Sequence, residues 1–348
     1  MTSGLWLLSA CLIAFAVAVG LCRVVMAVGV RDAPDEPRKT QLTAVPTMGG
    51  AGFFLAVALA LTIAGLLGDQ PVSQGVMTLL FASALALLIG LIDDLRGMRA
   101  ALKLVLLIGV GIWISASGIG PDVLSPWPGA QLSLPPLLAA LGALAWIVLM
   151  MNAVNFMDGA NGLSMGMAAI AAAGLCACAI VAGAPDIALC AGALCGALAG
   201  FLVWNVPGRL FAGDAGALMT GCLLAGLCLL LVERRPDWLC LAPTLMLPFL
   251  TDVILTLGWR LLNGKNLLSA HRDHGYQIAI KAGLRHWQVS AVHAVWALNA
   301  AALSLVAGIA GGWFPLMAFL TLAGASVWVH VRVRISGVRA GLVGRGLA

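Results

Sequence analysis

The feature that most constrains this chain is a succession of apolar runs of roughly 18 or more residues, the length that an α-helix needs to cross a bilayer. No water reaches the hydrocarbon, so a spanning chain must satisfy its own backbone groups as a helix or as a closed barrel. Barrel strands would be short, alternating segments, whereas these runs are long and continuous. The sequence therefore predicts an all-α, polytopic integral membrane helical bundle.

The runs predict about ten to eleven transmembrane helices. With 62% hydrophobic and only 9% charged residues, the chain lies far from soluble domains, in which about one quarter of residues are charged. We expect residues 1–348 to form one transmembrane domain, with no separate soluble unit. The predicted spans are 5–30, 48–68, 72–92, 101–118, 134–153, 164–184, 186–205, 215–232, 238–259, 288–310 and 313–331.

The positions of Lys and Arg predict the orientation, because cytoplasmic loops retain positive charge. With the N-terminus outside and the C-terminus cytoplasmic, only Arg234 and Arg235 lie on the outer side. The net charge of +5 then reflects membrane topology, and we expect no nucleic-acid partner. The basic tail, which includes Arg332 and Arg334, is predicted to be a solvated surface. The predicted inner loops, which together would form a cytoplasmic active site, are 31–47, 93–103, 154–163, 206–214 and 260–287.

Asp93 and Asp94 end the third predicted span. Carboxylates at a helix C-terminus face the negative end of the helix dipole, so compensation is expected. Arg96, Arg99 and Lys103 would supply it in a purely structural arrangement. Adjacent carboxylates also suit a divalent cation bound together with phosphate, since Mg²⁺ takes few protein oxygens.

Asn152, Asn155 and Asp158 recur every three residues at the inward end of the fifth predicted span. This spacing keeps them on one slowly rotating stripe of a helix, where they could bind a single ligand. A helix C-cap followed by an Asp-Gly turn explains Asp158 equally well. It does not explain two amides inside an apolar helix, where polar groups are costly.

Asp214 opens the eighth predicted span, between Gly213 and Gly216 and after Asn205. An ordinary N-cap role is one explanation for it. The other is a phosphate site, because the first N–H groups of a helix bind anions and Asp214 could hold a bridging cation.

Two further segments carry polar or glycine-rich patterns. Asp252 lies within the ninth predicted span, and His271-Arg272-Asp273-His274 follows it. Zinc would need a third ligand of standard spacing, so contact with an anionic substrate is the favoured interpretation. Pro46-Thr-Met-Gly-Gly50 begins the second span, where a tight helix start is a sufficient explanation.

In this order, Pro46-Thr-Met-Gly-Gly50, Asp93-Asp94, the Asn152 to Leu163 segment, Gly213-Asp214-x-Gly216 and His271-x-x-His274 resemble the polyprenyl-phosphate N-acetylhexosamine-1-phosphate transferase superfamily, glycosyltransferase family 4. The resemblance covers about residues 40 to 330. It implies transfer of a sugar 1-phosphate from a UDP-sugar to a polyprenyl phosphate such as undecaprenyl phosphate, with Mg²⁺ or Mn²⁺ and release of UMP. It also implies a multi-pass protein of the bacterial inner membrane whose active site faces the cytoplasm.

The resemblance implies roles for individual residues. Asp214 would hold the metal, Asp93 would share the metal and orient or deprotonate the lipid phosphate, and Asp94 would support it. Phosphoryl transfer depends mainly on such positioning and charge neutralisation. The other implied substrate-binding residues are Asn152, Asn155, Asp158 and Asn205 for the donor, Phe211 against the uracil, His271, Arg272 and His274 for the sugar or diphosphate, and Lys39 and Lys103 for phosphate.

The histidine motif, His271-x-x-His274, bears on the donor. Phospho-N-acetylmuramoyl-pentapeptide transferases usually carry three consecutive histidines there, whereas this chain has His271-Arg-Asp-His274. The pattern is more similar to the O-antigen-initiating branch, whose donors are UDP-N-acetylglucosamine or deoxy relatives such as the fucosamine and quinovosamine derivatives. A muramoyl-pentapeptide transferase remains the alternative within the family.

Two other classes compete with a transferase. A secondary transporter would explain an intramembrane Asp252 and glycine-interrupted helices. It would, however, place polar groups near the midplane, whereas here they lie at the inward helix ends. A catalytically inactive scaffold is disfavoured because Asp93, Asp94 and Asp214 are all present. The exact sugar, a possible homodimer, and a one-step or two-step mechanism stay open at this point.

Overall fold

The computed structural model describes residues 3–28, 31–32, 44–67, 72–267, 269 and 271–343. Helices account for almost all of the regular structure in these residues, as the apolar runs predict. The α-helices are α1 (Ser3–Val28), α2 (Gly49–Leu67), α3 (Gln74–Arg96), α4 (Ala100–Ala116), α5 (Pro136–Phe156), α6 (Ser164–Val181), α7 (Pro185–Asn205), α8 (Gly213–Arg234), α9 (Leu241–Leu262), α10 (Gly275–Lys281), α11 (His286–Ala310) and α12 (Phe314–Arg339).

Ten of the described helices are long and apolar enough to cross a membrane. Helix α4 is also apolar but shorter, with 17 residues. The predicted polytopic helical bundle of ten to eleven spans is thus confirmed. The helix α10 was not predicted, because its seven residues lie inside the loop 260–287. Two antiparallel strand pairs complete the described elements: β1 (Arg31–Asp32) with β2 (Val45–Pro46), and β3 (Val123–Leu124) with β4 (Leu132–Ser133).

Helix α8 lies at the centre of the bundle. Its most apolar 18-residue stretch is fully buried, and it packs against α2, α3 and α5. Glycine makes these contacts possible: a Cβ at Gly90 of α3 would overlap the backbone of Ala215, and a Cβ at Gly50 of α2 would overlap the backbone of Gly216. Small residues at helix crossings are the usual means of close packing in membranes.

Helices α11 and α12 lie at the periphery, where side chains such as Leu298 and Trp328 are exposed. Exposed apolar side chains are expected on helices that face lipid. Helix α12 packs against α9, α10 and α11, so the last span and the short helix α10 form one packed group.

The motif-bearing helix ends gather at one end of the bundle. Helices α3 and α5 end there, while α4 and α8 begin there, since Asp93, Lys103, Asn155 and Asp214 are joined by direct hydrogen bonds. The opposite end carries Arg234, which pairs with Asp186 at 3.4 Å. The Lys and Arg distribution predicts that the motif end is cytoplasmic.

Candidate functional site

Five polar side chains from four helices meet at the motif end. We call Asp93, Asp94, Lys103, Asn155 and Asp214 the carboxylate cluster. The Lys103 ammonium donates to Asp93 Oδ2 at 2.7 Å and to Asp214 Oδ2 at 2.6 Å. The amide of Asn155 donates to Asp214 Oδ1 at 2.9 Å. The structure therefore assembles residues that are up to 121 positions apart in the sequence around one cation.

Asp94 holds the start of α8. Its Oδ1 accepts from the backbone N–H of Asp214 at 2.9 Å and its Oδ2 accepts from that of Ala215 at 3.2 Å. The N-cap role considered for Asp214 is therefore wrong, because Asp94, from α3, satisfies these helix N–H groups. They are also not free to bind phosphate, as the second explanation required.

Gly213 makes this contact possible. Its φ is +71°, and a Cβ there would overlap the Asp94 carboxylate. Only glycine reaches such a conformation without strain and leaves room for the carboxylate. The glycine before Asp214 thus serves the Asp94 contact.

The segment Pro46–Gly50 packs against the residues that precede α8. The N–H of Phe211 donates to Pro46 O at 2.9 Å, and the N–H of Gly49 donates to Phe211 O at 2.9 Å. Met48 takes a positive φ of 74° where the chain enters α2. Backbone contacts with Pro46–Gly50 therefore fix the position of the segment that leads into α8. The Phe211 ring stays half-buried.

Asn205 joins the two loops that flank the carboxylate cluster. Its Oδ1 accepts from the N–H of Gly162 at 2.7 Å, and its Nδ2 donates to Leu210 O at 2.9 Å. The side chain is buried, so both ends of the amide serve the fold. Its assignment to the donor stays a prediction.

Asp158 lies in the loop after α5 and is half-buried. Burial, together with the nearby carboxylates of Asp214 and Asp94, raises the pKa of Asp158 to about 8. A carboxyl with this pKa is protonated over much of the neutral range, so it can donate a hydrogen bond to a substrate oxygen.

A second polar group surrounds the start of α10. We call Asp252, Arg260, Asp273, His274 and Arg334 the α10 anchor. Asp252 Oδ1 accepts from the N–H of Gly275 at 2.9 Å and Oδ2 accepts from that of Tyr276 at 3.1 Å, while His274 Nδ1 lies 3.2 Å from Oδ1.

Arginines hold Asp273 within this anchor. The Arg260 guanidinium pairs with the Asp273 carboxylate, and Arg334 Nη2 donates to the Asp273 carbonyl at 2.7 Å. Against the cost of burial, the hydrogen bond from Arg260 lowers the pKa of Asp273. The Arg260–Asp273 pair thus satisfies two of the buried charges, whereas Nε and Nη1 of Arg334 are buried and have no hydrogen-bond partner among the described residues.

The two groups meet at the last turn of α5. The Tyr276 hydroxyl donates to Phe156 O at 3.1 Å, while the neighbouring Asn155 donates to Asp214. The rings of His271 and His274 stack with centroids 5.0 Å apart. Burial and the nearby His274 and Arg260 lower the pKa of His271 to about 4, so this imidazole is neutral at physiological pH.

The polar contacts of Asn152 and Arg272 do not reach these groups. The Asn152 amide donates to Val148 O of its own helix at 2.8 Å, so the predicted stripe of two amides and a carboxylate is divided. Arg272 is half-buried and contacts Lys281 through its backbone carbonyl at 2.8 Å. Lys39 lies outside the described residues.

Asp93 and Asp214 are the residues that could supply oxygen ligands to a divalent cation. Within the described part of the chain, no group of three or more His, Cys, Asp or Glu side chains is placed to hold a metal ion. Two carboxylates suit Mg²⁺ bound with substrate phosphate, because Mg²⁺ commonly takes one or two protein carboxylates and completes its shell with phosphate and water.

Sequence reasoning missed Arg334, which it placed on a solvated tail. The side chain is buried, because the guanidinium stacks over Trp259 at 4.5 Å and donates to Thr256 Oγ1 at 3.0 Å. A signal was available: Asp252, Thr256 and Arg260 recur every four residues on one face of α9. A polar stripe inside a span requires a polar partner helix.

A family profile and several known proteins are similar to this chain in sequence. Residues 76–232, which contain all five residues of the carboxylate cluster, match the profile of glycosyl transferase family 4. A phospho-N-acetylmuramoyl-pentapeptide-transferase from Streptococcus pneumoniae (strain Taiwan19F-14) is 32% identical over 234 residues, which are 64% of this chain and 70% of that protein.

The chain belongs to glycosyl transferase family 4. The resemblance predicted from the motifs is thereby confirmed. A second family 4 relative, a probable undecaprenyl-phosphate N-acetylglucosaminyl 1-phosphate transferase from Bacillus subtilis (strain 168), is 28% identical over 76% of this chain and 73% of its own length. A phospho-N-acetylmuramoyl-pentapeptide-transferase from Clostridium beijerinckii (strain ATCC 51743 / NCIMB 8052) is 31% identical over 58% of this chain, and the match spans 64% of that protein.

Proposed function

We propose that this protein transfers an N-acetylhexosamine 1-phosphate from a UDP-sugar to undecaprenyl phosphate and releases UMP. A phosphate oxygen of the lipid forms a bond to the β-phosphorus of the donor, and the bond from that phosphorus to the bridging oxygen of UMP breaks. The product is a lipid-linked diphosphate sugar. N-acetylglucosamine or a deoxy relative such as N-acetylfucosamine or N-acetylquinovosamine is the proposed sugar, and initiation of O-antigen or another surface polysaccharide is the proposed role.

The meeting of Asp93 and Asp214 around Lys103 carries the proposal. Substrates that bring three or more phosphate groups together need positive charge and positioned carboxylates at one point, since phosphoryl transfer relies on charge neutralisation. Here the Asp93 side chain is 11% exposed, the Lys103 side chain 18% and the Asp214 side chain 30%, so substrate can reach all three. Asp93 is the proposed residue that orients or deprotonates the lipid phosphate.

Asp214 and Asp93 are the residues that would hold Mg²⁺ or Mn²⁺. A bound divalent cation supplies Lewis-acid neutralisation of the diphosphate oxygens. Lys103 donates hydrogen bonds to both carboxylates. When the donor binds, its ammonium group would donate to a phosphate oxygen instead. Asn155 keeps Asp214 in place through its Oδ1, and Asp94 keeps the start of α8 in place.

The second group of residues is the proposed donor site. Asp158 lies close enough to the carboxylates of Asp214 and Asp94 for them to raise its pKa. In the His271–His274 segment, the His274 ring lies 5.9 Å from the Phe156 ring, measured between centroids. Phe211, with a half-buried ring, is the proposed uracil contact. A neutral His271 and a protonated Asp158 would each offer hydrogen bonds to sugar or diphosphate oxygens without adding repulsive negative charge.

Location follows from charge. Arg96, Arg99, Lys103, Arg260 and Lys265 all belong to the motif end, whereas the opposite end has Arg234 and Arg235. The positive-inside rule then supports an active site on the cytoplasmic side of the bacterial inner membrane, where nucleotide sugars are made available.

UMP release by purified protein tests this proposal. The protein is supplied with undecaprenyl phosphate, Mg²⁺ and, in parallel, UDP-N-acetylglucosamine or UDP-N-acetylfucosamine. We expect UMP release that depends on the lipid and on Mg²⁺ and that is lost in Asp93→Asn and Asp214→Asn. No release with any UDP-sugar, from protein shown to be folded, would contradict the proposal.

A muramoyl-pentapeptide donor is the second candidate, because two of the relatives described above carry that name. Against it, muramoyl-pentapeptide transferases usually carry three consecutive histidines, whereas Arg272 and Asp273 stand between the two histidines of this chain. The Asp273 carboxylate pairs with Arg260. The same assay with UDP-N-acetylmuramoyl-pentapeptide separates the two: turnover of this donor, with none of UDP-N-acetylglucosamine, would favour the second candidate.

A secondary transporter is not supported. Asp252, the intramembrane carboxylate that suggested one, already accepts hydrogen bonds from Gly275, Tyr276 and Thr256. Asp214→Asn also separates these classes. A transferase loses metal-dependent UMP release with this variant, whereas a carrier would lose flux and leave uridine nucleotides unchanged.

A further inference from the structure

A buried arginine on the last transmembrane helix contacts the segment His271–His274. Arg334 lies near the end of α12, only 8% exposed, although it is surrounded in sequence by exposed residues. Its Nη2 donates to the carbonyl of Asp273 at 2.7 Å and to Thr256 Oγ1 at 3.0 Å. Its Nε and Nη1 are buried and have no hydrogen-bond partner among the described residues, so the Nη2 contacts and the stack on Trp259 hold the guanidinium in place.

These contacts reach the motif through its backbone. Asp273 lies between Arg272 and His274, and its carbonyl is held by Arg334 while its carboxylate is held by Arg260. The next residue, His274, caps α10 and bonds to Asp252. A shift of Asp273 would therefore move the whole segment, because both of its polar groups are tied to different helices.

The Trp259 ring on α9 contacts two cations. Trp259 receives the Arg334 guanidinium on its ring at 4.5 Å and the Lys265 ammonium at 4.0 Å. Thr256 also donates to Asp252 Oδ1 at 3.1 Å, so hydrogen bonds connect Arg334 through Thr256 to Asp252, the carboxylate that accepts from the first N–H groups of α10. A planar guanidinium suits this place, since it stacks and donates at once, which a lysine ammonium does not.

We propose that Arg334 is a positioning residue for the donor-binding segment His271–His274, and that α12 thereby sets donor affinity from outside the region that matches the family profile. This inference rests on the proposed function, because it takes that segment to bind the UDP-sugar. Arg334 touches neither substrate nor the carboxylate cluster. Its effect is confined to the donor, and the lipid acceptor site on the carboxylate side is left unchanged.

Arg332 offers a matched control. It lies two residues away on the same helix and is exposed, and its guanidinium is 5.9 Å from the Trp328 ring. Arg332→Met removes the same charge and length from α12 without touching the α10 anchor. Arg334→Lys keeps the charge but loses the planar fork.

The test measures two things on full-length protein in lipid nanodiscs: steady-state kinetics with UDP-N-acetylglucosamine and undecaprenyl phosphate, and hydrogen exchange of the backbone amides of Gly275–Lys281. In Arg334→Met we expect the donor KM to rise about tenfold or more, the acceptor KM to change less than about twofold, and the α10 amides to exchange faster. Arg334→Lys should recover part of the donor KM, and Arg332→Met should match the wild type.

An unchanged donor KM together with unchanged exchange in Arg334→Met overturns the inference, as does an equal rise in both KM values. If Arg334→Met does not fold, Arg334→Lys decides, because it keeps the charge and loses the planar fork: faster α10 exchange and a raised donor KM support the inference, and wild-type behaviour overturns it. If the wild type transfers no sugar phosphate at all, the proposed function fails, and the exchange measurement alone then decides whether Arg334 positions the segment.

Discussion

The two polar groups at the motif end differ in how their charges are satisfied. In the carboxylate cluster, the Asp93, Lys103 and Asp214 side chains are 11%, 18% and 30% exposed. Lys103 bonds to both carboxylates, while Asp93 Oδ1 also accepts from the backbone N–H of Met98. In the α10 anchor, the Asp252 and Arg260 side chains are 8% and 5% exposed, and backbone groups of a neighbouring helix or loop take up their hydrogen bonds.

That difference separates chemistry from support. Charges that are open to solvent and bonded to each other can exchange partners when a substrate arrives. Charges that are buried and bonded to backbone cannot do so without moving the chain. We therefore expect substitutions of Asp93, Lys103 and Asp214 to lower activity at constant stability. Substitutions in the α10 anchor, and of Asp94 at the start of α8, should lower stability.

The largest effect is expected for Asp214→Asn. Losing one carboxylate of the proposed metal site should lower kcat by about a thousandfold, or roughly 4 kcal/mol of transition-state stabilisation. The unfolding temperature should stay near that of the wild type, because the amide keeps the shape and the Asn155 contact. Lipid-dependent UMP release and thermal unfolding measure the two quantities, and wild-type activity would remove Asp214 from the site.

Asp252→Asn should act in the opposite way. The amide would turn a donor toward N–H groups of α10 and leave Arg334 and Arg260 with one carboxylate fewer nearby. Breaking a buried charge network of this kind costs about 3 kcal/mol of unfolding free energy. Thermal unfolding in detergent checks it, and an unchanged unfolding temperature would mean that Asp252 does not support α10.

Gly90→Ala tests how the cluster is brought together. The new Cβ would overlap the backbone of Ala215 and push α3 away from α8, which we expect to cost about 2 kcal/mol and to lower activity by separating Asp93 from Asp214. Gly109→Ala on α4 is the control, because a Cβ there meets nothing within 4 Å. Equal unfolding temperatures for both variants would rule out the close α3–α8 crossing.

The two amides of α5 should differ by a smaller margin. Asn155→Ala removes the hydrogen bond to Asp214 Oδ1 and should lower kcat/KM by about tenfold, or roughly 1.4 kcal/mol. Asn152→Ala removes only a bond to its own helix and should change kcat/KM less than about threefold. Kinetics with the preferred donor decide it, and equal losses would restore the single stripe predicted from their spacing.

The sequence alone predicted the helical bundle, because hydropathy marks spans, and the resemblance to the family implied that Asp93 and Asp214 share one metal site. It could not assign Asp94 to the start of α8, since that contact joins positions 120 residues apart and depends on the conformation of Gly213. It also placed Arg334 in solvent. Charge near a helix end is ambiguous until the polar stripe of Asp252, Thr256 and Arg260 is recognised as its partner.

The central claim is that the carboxylate cluster moves a sugar phosphate onto lipid, and the path of the β-phosphate tests it most directly. UDP-N-acetylglucosamine carrying ³²P in the β position is incubated with purified protein, Mg²⁺ and undecaprenyl phosphate, and the label is followed into an organic extract. We predict that the label enters the lipid fraction with wild type and with Asn152→Ala and stays aqueous with Asp214→Asn. Label that stays aqueous with folded wild-type protein for every donor sugar tried, or that enters the lipid equally well with Asp214→Asn, would contradict the account.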